Sequence, residues 1–385
     1  MDRIVYLDNA ATTKLSKAAR DAMLRQMANG YGNPSSTHSV GRSAKDALES
    51  ARAKVAEAIG AAPGEIYFTG GGTEANNWAI QSAVETRKYK GGHIITSAIE
   101  HPAVLNALKH LEKSGRAVTR LGVDPYGRIS LDELRGAIRG DTILITVMTA
   151  NNEIGTRLPI AEIGKIAKER GALFHTDAVQ AVGRVPVDVK ELGVDLLSLS
   201  GHKFGGAKGV GALYVKKGLR LTPLLRGGGQ ERGARAGTEN VAGIVSVAAA
   251  LEDVLPRLPL DDVARKRDRL IEGLLKIPRA RLTGDPVNRL PGIASFVFEC
   301  AEGESILLLL DQCGVCASTG SACSSGSHDP SHVLRALGLP HEIAQGSLRL
   351  SLSEETTDEE IDYVLEKLPP IIEKLRGMSP LWDGA

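Results

Sequence analysis

Five short polar stretches interrupt the apolar runs in the first half of the chain, and each carries side chains able to do chemistry. Gly70-Gly-Gly-Thr73 opens a helical pattern. Its free N–H groups, the helix dipole and the Thr73 hydroxyl would cradle a phosphate, or Thr73 would be ordinary helix punctuation as an N-cap. Glu100-His101-Pro102 offers a flat imidazole, Asn151-Asn152-Glu153 an amide pair and a carboxylate, and Asp177 an acid with Gln180 one turn later. Ser200-Gly-His202-Lys203 combines a hydroxyl, an imidazole and an amine. A lysine in a dry crevice loses its proton and forms an imine with an aldehyde. A carboxylate facing a pyridine nitrogen keeps that ring protonated and makes it an electron sink. Each stretch alone has a bland explanation, a capping Asx or a solvated lysine. Five in succession are harder to dismiss.

All five follow predicted strands. Probable strands are Glu65–Thr69, His93–Ser97, Ala117–Leu121, Thr142–Thr149, Ala172–Thr176, Asp195–Ser200 and Gly211–Val215. Helices are expected over Ser43–Ile59, Glu74–Lys88, Ala103–Ser114, Leu131–Gly140 and Ile160–Arg170. This alternation of apolar runs and amphipathic segments is the signature of βαβ units and a largely parallel sheet. Only a glycine-rich stretch separates the last two strands, which leaves room for a mixed sheet. Ligands of open α/β sheets bind at the carboxyl ends of the strands, where these residues fall. The set matches pyridoxal 5'-phosphate: Lys203 as imine former, Asp177 on the ring nitrogen, Gln180 near the ring hydroxyl and His101 stacked on the ring. Thr73, Ser200 and His202 would face the phosphate.

Composition sets the frame. The 385 residues carry 47 Lys plus Arg against 46 Asp plus Glu, a formal charge of +1, so dedicated nucleic-acid binding is a poor first reading. Hydrophobic content of 42% with 24% charge is that of a globular protein, and the length suggests two domains. The character changes after about residue 255, at Leu255-Pro-Arg-Leu-Pro-Leu260. A charged helix over Asp261–Leu275, strands near Ala294–Phe298 and Ser347–Leu352 and a final helix from Asp358 read as a smaller α+β domain. The expected division is 16–254 for a large cofactor-binding domain and 1–15 with 255–385 for a small one. No stretch reaches ~18 apolar residues, so no membrane span is expected. The opening residues lack an apolar run with a small-residue cleavage site, and a cytoplasmic location is expected. The 43 glycines, about 11% against a typical ~7%, bunch at 70–72, 201–211 and 227–229, in loops that approach something closely.

Several longer motifs carry a resemblance. Tyr6-Leu-Asp-Asn-Ala-Ala-Thr-Thr13, Ala98-Ile-Glu-His-Pro-Ala-Val104, Ala150-Asn-Asn-Glu-Ile-Gly155 and Ser198-Leu-Ser-Gly-His-Lys-Phe-Gly-Gly206 closely resemble cysteine desulfurases of the NifS/IscS branch. So do Gly227-Gly-Gly-Gln-Glu-Arg-Gly-Ala-Arg-Ala-Gly-Thr-Glu-Asn240 and Ala317-Ser-Thr-Gly-Ser-Ala-Cys-Ser-Ser-Gly326. The likeness runs in order from about residue 4 to residue 382. It implies a class V, fold-type I pyridoxal-phosphate enzyme with a seven-stranded, mainly parallel sheet and a smaller α+β domain. By resemblance, Lys203 holds the cofactor, and Gly72, Thr73, Ser200 and His202 sit at its phosphate. Thr238 reaches the phosphate of a neighbouring subunit's cofactor, which implies a homodimer with shared active sites. Asn152 and Arg349 are substrate-side residues, with Arg349 pairing bidentately with the carboxylate of L-cysteine. The family has Ser commonly at position 70, where this chain has Gly, a change that leaves phosphate binding in place.

Cys323 is the expected nucleophile. Its Ser/Gly/Ala-rich surroundings differ from the apolar neighbours of a structural cysteine. By resemblance its thiolate takes the substrate sulfur, leaving alanine and a persulfide for an acceptor or scaffold protein in iron–sulfur cluster or thio-cofactor assembly. The chain stops soon after Ser379-Pro-Leu-Trp382, where housekeeping members of the family continue, so the resemblance leaves the acceptor open. Only four cysteines are present, which excludes a disulfide framework and favours a reducing compartment. Cys313 and Cys316 form a lone C-x-x-C that reads as structural, Cys300 reads as core, and no metal site is expected. The alternatives are a selenocysteine lyase or class V aminotransferase, and a non-catalytic nucleotide-binding module.

Overall fold

The computed structural model describes residues 4–320, 329–382 and 384. Strand β1 (Val5–Tyr6) is followed by α1 (Lys17–Asn29) and α2 (Ser39–Glu57). Alternating elements come next: β2 (Ile66–Thr69), α3 (Gly72–Arg87), β3 (His93–Ser97), α4 (Pro102–Lys113), β4 (Val118–Leu121), α5 (Leu131–Ala137), β5 (Thr142–Thr146), α6 (Ile160–Arg170), β6 (Leu173–Asp177), α7 (Val189–Leu192), β7 (Leu196–Ser200) and β8 (Gly211–Val215). Helices α8 (Val241–Val254) and α9 (Asp261–Leu274) lead to β9 (Ala280–Leu282), β10 (Ile293–Phe298), α10 (Gly303–Gln312) and β11 (Val315–Cys316). The chain finishes with α11 (His332–Ala336), α12 (His341–Ala344), β12 (Ser347–Ser351) and α13 (Asp358–Met378).

The main sheet has the order β2-β8-β7-β6-β5-β3-β4. Strands β3 to β7 pair in parallel, while β8 runs antiparallel to both β7 and β2. Strand β2 therefore points the same way as β7, and six strands deliver their carboxyl ends to one edge. Every residue of β3, β5, β6, β7 and β8 is buried, which is why these segments read as apolar runs rather than alternations. The mixed sheet has the cause the sequence offered: only a glycine-rich turn joins β7 to β8.

The seven predicted strands all form, five of them with changed ends. Thr142–Thr149 shortens to β5, although Val147 and Thr149 still donate to the carbonyls of His175 and Asp177 beside it. Helix α3 begins at Gly72 with Gly71 as N-cap, so Thr73 lies inside the first turn and does not cap. Helices α1 and α8 went unread. They are packed against each other beside the glycine turn of 205–206, and many of their buried residues are small, Ala19 and Ala22 in α1 and Gly243, Ala248 and Ala250 in α8.

Two further sheets, β12-β10-β9 and β1-β11, accompany the second half of the chain. Val5 and Leu7 join one hydrophobic cluster with Leu270, Phe296, Phe298, Leu350 and Ile372, distinct from the cluster under the main sheet. Cys300 is not core as expected: it is half-buried, sits in the left-handed region with φ of 60°, and its Sγ contacts the Leu381 carbonyl. No described helix is long and apolar enough to cross a membrane.

Candidate active site

The carboxyl edge of the sheet gathers most of the predicted residues. Asp177 ends β6 with 5% exposure, and its Oδ2 accepts from Asn76 Nδ2 at 2.6 Å. Oδ1 accepts from the Val179 amide at 3.0 Å, which turns the chain so that Gln180 follows on the same side. Gln180 Nε2 donates to the Ala10 carbonyl at 2.9 Å, and Lys203 Nζ donates to that same oxygen at 2.7 Å. Lys203 Nζ also reaches the Ala11 carbonyl at 2.7 Å. Lys203 stands in the one-turn 3₁₀ segment Gly201–Lys203 that immediately follows β7. The N-terminal segment thus ties the amine and the amide together across the strand ends.

Gly72, Thr73, Ser200 and His202 line one pocket of about 700 Å³, with Gly70, Gly71 and Lys208. Gly71 has φ of 149°, in the region that favours glycine. A Cβ on Gly211 would stand 2.7 Å from the Gly71 carbonyl carbon and 2.6 Å from the Leu199 oxygen, so the turn at 70–72 lies directly on the start of β8. Because Thr73 does not cap α3, its exposed hydroxyl stays available to a ligand at the helix N-terminus. His202 Nδ1 meets the Thr12 hydroxyl at 3.2 Å. Burial, with Lys203 and Lys208 nearby, pushes its pKa down to about 4, so the ring is neutral at pH 7.

His101 is the N-cap of α4, its Nδ1 accepting the Ala103 amide at 3.1 Å. Burial, partly offset by the charge of Asp177, holds its pKa below the ordinary value. This assigns the neutral tautomer with the proton on Nε2. Thr73 and His101 share a second pocket between α3 and α4.

Arg349 lies in β12, with its side chain 3% exposed. Nη2 donates to Asp8 at 3.0 Å and Nη1 to the Asn152 carbonyl at 2.9 Å, while Nε is buried without a hydrogen-bond partner. Asn152 therefore meets Arg349 through its backbone. Thr238 is exposed in the stretch before α8. That stretch is pinned upstream by the buried Glu231, which accepts from Arg52 Nη1 and Nη2 at 2.8 and 2.9 Å and from the Phe68 amide at 2.9 Å. Cys323 lies outside the described residues.

The cofactor expected from the sequence can be tested against orphaned atoms. Gln180 Oε1 and Asn76 Oδ1 are buried acceptors without donors, on either side of a buried carboxylate, and a fixed polar ligand would complete them. A phosphate fits the glycine turn, and a pyridinium fits Asp177. The donor set and the vacant acceptors agree with pyridoxal phosphate.

Comparison with known proteins decides the family. Residues 5–364 match the model described as Aminotransferase class-V. A protein of Methanosarcina thermophila named cysteine desulfurase IscS is 56% identical, over 99% of this chain and 95% of that protein. The chain belongs to the cysteine desulfurases of the class-V aminotransferase family. A cysteine desulfurase IscS of Clostridium botulinum is 51% identical over 100% of the chain and 98% of the relative. Among solved structures, one titled NifS-like protein matches with TM-score 0.91 and 39% identity, covering 97% of this chain and 100% of that one. SspA in complex with cysteine matches with TM-score 0.82 and 38% identity, covering 90% and 98%. The fold is the fold-type I architecture of this family.

Three buried polar residues beside the site were given no individual role in the sequence reading. Asn76 is one turn into α3 and looked like helix interior; only its place four residues beyond Gly72 could have marked it. Glu100 is fully buried, its carboxylate accepting from Ser97 Oγ at 2.6 Å and from the Met148 amide at 3.0 Å. Glu153 is 5% exposed and accepts from the Ser331 hydroxyl. Both acids stand in motifs that had been singled out, but nothing local announces that a charged residue points inward.

Proposed function

We propose that this chain is a pyridoxal-phosphate-dependent cysteine desulfurase that converts L-cysteine to L-alanine and leaves the sulfur as a persulfide on Cys323. The observation that carries the reading is the carbonyl of Ala10 shared by Lys203 and Gln180, with Asp177 one turn before Gln180. It sets an amine, an amide and a carboxylate around one place at the sheet edge.

The cofactor, when bound, supplies an electron sink for the charge that develops at the substrate's Cα. Asp177, steered by Asn76, would set a buried carboxylate against the ring nitrogen. Gln180, with its free Oε1, would face the ring hydroxyl, and the neutral His101 would stack on the ring. Gly72, Thr73, Ser200 and His202 hold the phosphate, with Thr238 of a second subunit completing that contact in a homodimer. Arg349 presents its unpartnered Nε to the substrate carboxylate, with Asn152 beside it. Lys203 would hold the cofactor, and its Nζ is the base that would take the Cα proton of the substrate. The Cys323 thiolate then attacks the substrate sulfur. An S–S bond forms, the Cβ–S bond breaks, and its electron pair ends, with a proton, at Cβ of alanine. Thiol and substrate sulfur together become the persulfide, so no external oxidant is needed. We divide the chain into a large unit, 16–254, that grips the cofactor, and a small one, 1–15 with 255–385, that bears Arg349 and Cys323. One hydrophobic cluster drawn wholly from the latter supports this, while the cluster under the main sheet also takes in Ala10, Ile293, Val297 and Leu334.

The sulfur passes to acceptors in iron–sulfur cluster or thio-cofactor assembly, a reading supported by the relatives named IscS. We place it in the cytoplasm, supported by the free state of Cys300, Cys313 and Cys316. The test uses purified, cofactor-loaded protein with L-cysteine and a reductant. Wild type should release sulfide and alanine in equal amounts. Cys323→Ala should keep the cofactor's absorbance and lose sulfide release. Sulfide release by that variant at the wild-type rate would refute the reading.

A further inference from the structure

The phosphate cradle contains a charge of the wrong sign. Glu74 stands in the first turn of α3 and lines the same pocket as Gly72, Thr73, Ser200 and His202. The charged side chains of that lining are Glu74 and Lys208. A phosphate ester carries about −1.5 to −2 charges at neutral pH, so a carboxylate here opposes it. An acid in a first helical turn normally needs no explanation beyond the helix dipole. This one is turned back out of the helix: its Oε2 accepts the Gly70 amide at 2.8 Å. It thereby fixes the turn that leads into α3. The first-turn amides of Gly72 and Thr73, which find no partner within a helix, are left for a ligand.

Arg235 answers the charge. Its Nε donates to Glu74 Oε1 at 2.9 Å and its Nη2 to Oε2 at 3.1 Å, a bidentate fork between side chains 22% and 19% exposed. A pair at that depth is screened less than one in open water, and the fork fixes direction as well as distance. Arg235 comes from the loop before α8, which is fastened to β2 twice. Glu231 accepts the Phe68 amide, and Arg232 donates to the Ile66 carbonyl at 2.6 Å while its Cζ lies 4.0 Å from the centre of the Tyr67 ring. Gln230 Oε1 accepts the Gly237 amide at 3.1 Å and closes the loop on itself. The guanidinium therefore reaches Glu74 from a braced backbone.

We propose that Arg235 is a positioning residue for the cofactor's phosphate: paired with Glu74, it cancels the carboxylate's charge beside the cradle and keeps that carboxylate on the Gly70 amide. The inference rests on the cofactor reading above. The two side chains do separate jobs. Glu74 shapes the turn at an electrostatic cost, and Arg235 removes that cost.

The experiment titrates the cofactor-free full chain with two probes, followed by absorbance: pyridoxal 5'-phosphate, and pyridoxal, which lacks the phosphate. Wild type, Arg235→Ala, Arg235→Lys, Glu74→Gln and the double variant Arg235→Ala with Glu74→Gln are compared, with urea unfolding to check that each is folded. In Arg235→Ala the dissociation constant for pyridoxal 5'-phosphate should rise about 10- to 100-fold, the scale of like charges brought together at a partly buried site, while that for pyridoxal stays within about twofold. Arg235→Lys keeps the positive charge and should recover most of the loss. Glu74→Gln removes the negative charge, keeps an oxygen for Gly70, and should restore phosphate binding in the Arg235→Ala background. Alone, Glu74→Gln should bind the phosphate ester at least as tightly as wild type. A merely structural role would weaken both probes together and leave the double variant no better than Arg235→Ala. Either result, or no loss in Arg235→Ala, overturns the proposal. Should Arg235→Ala not fold, weaker binding of the phosphate ester by Glu74→Gln alone overturns it. Wild type that binds neither probe refutes the cofactor reading itself, whereas wild type that binds beside variants that do not discriminate refutes only the role of Arg235.

Discussion

Glu100 keeps a carboxyl where water does not reach, one residue from His101 and within the field of Asp177. Burial first, and the charge of Asp177 besides, raise its pKa to about 8, against the pull of Ser97 and the Met148 amide. An unfolded glutamate titrates near ~4.3, so between about pH 4 and about pH 8 the folded chain holds a proton that the unfolded chain has released. Unfolding free energy falls as pH rises through that window, by about 1.4 kcal/mol per pH unit from this group alone. Glu100→Gln, uncharged and still able to accept from Ser97, should flatten the slope by about one proton. Urea unfolding at several pH values measures it, and an unchanged slope would show that Glu100 is ionised in the native state. At this scale the sequence was legible where residue type is itself the message. A lysine, an aspartate and a histidine each following an apolar run announce strand ends. Asn76, Glu100 and Glu153 were not legible, because burial of a polar side chain is decided by what packs over it.

At the scale of elements, the site depends on a glycine turn laid on a strand. Gly211 opens β8 with no room for a Cβ between the Gly71 backbone and the Leu199 carbonyl. Gly211→Ala should cost about 1–3 kcal/mol through overpacking and push the 70–72 turn off its seat. The cofactor's dissociation constant, followed by absorbance, should rise along with the loss of stability. Full stability with weaker cofactor binding would be equally informative about the turn, whereas unchanged binding contradicts its role. The buried pair of Arg52 and Glu231 holds the segment that leads to Thr238. Glu231→Ala leaves the buried Arg52 guanidinium with only Glu49 and the Ile66 carbonyl and should destabilise by about 1–3 kcal/mol, read from the urea midpoint. Central strands were easy to find because burial on both faces makes them uniformly apolar. Helices α1 and α8 were hard because they bury small residues against each other, which blunts the apolar stripe. Strand β1 has two residues and no periodicity to detect.

Across the whole molecule, the first dozen residues act as a strap. Strand β1 pairs with β11, Asn9 and Ala10 bond to Ser351, and Thr13 donates to the His202 carbonyl. Asp8 braces Arg349, while the carbonyls of Ala10 and Ala11 face Lys203. Removing residues 1–11 should therefore abolish cofactor retention and lower the melting temperature together, as checked by absorbance and calorimetry on one preparation. The sequence assigns the opening residues to the smaller unit, but hydrogen bonds joining residue 10 to residue 203 are set by tertiary structure and leave no mark on spacing. The strap also couples the two sides of the site. The peptide run that braces Arg349 through Asp8 is the one whose next carbonyls hold Lys203, so a small shift at either anchor is transmitted along three residues to the other.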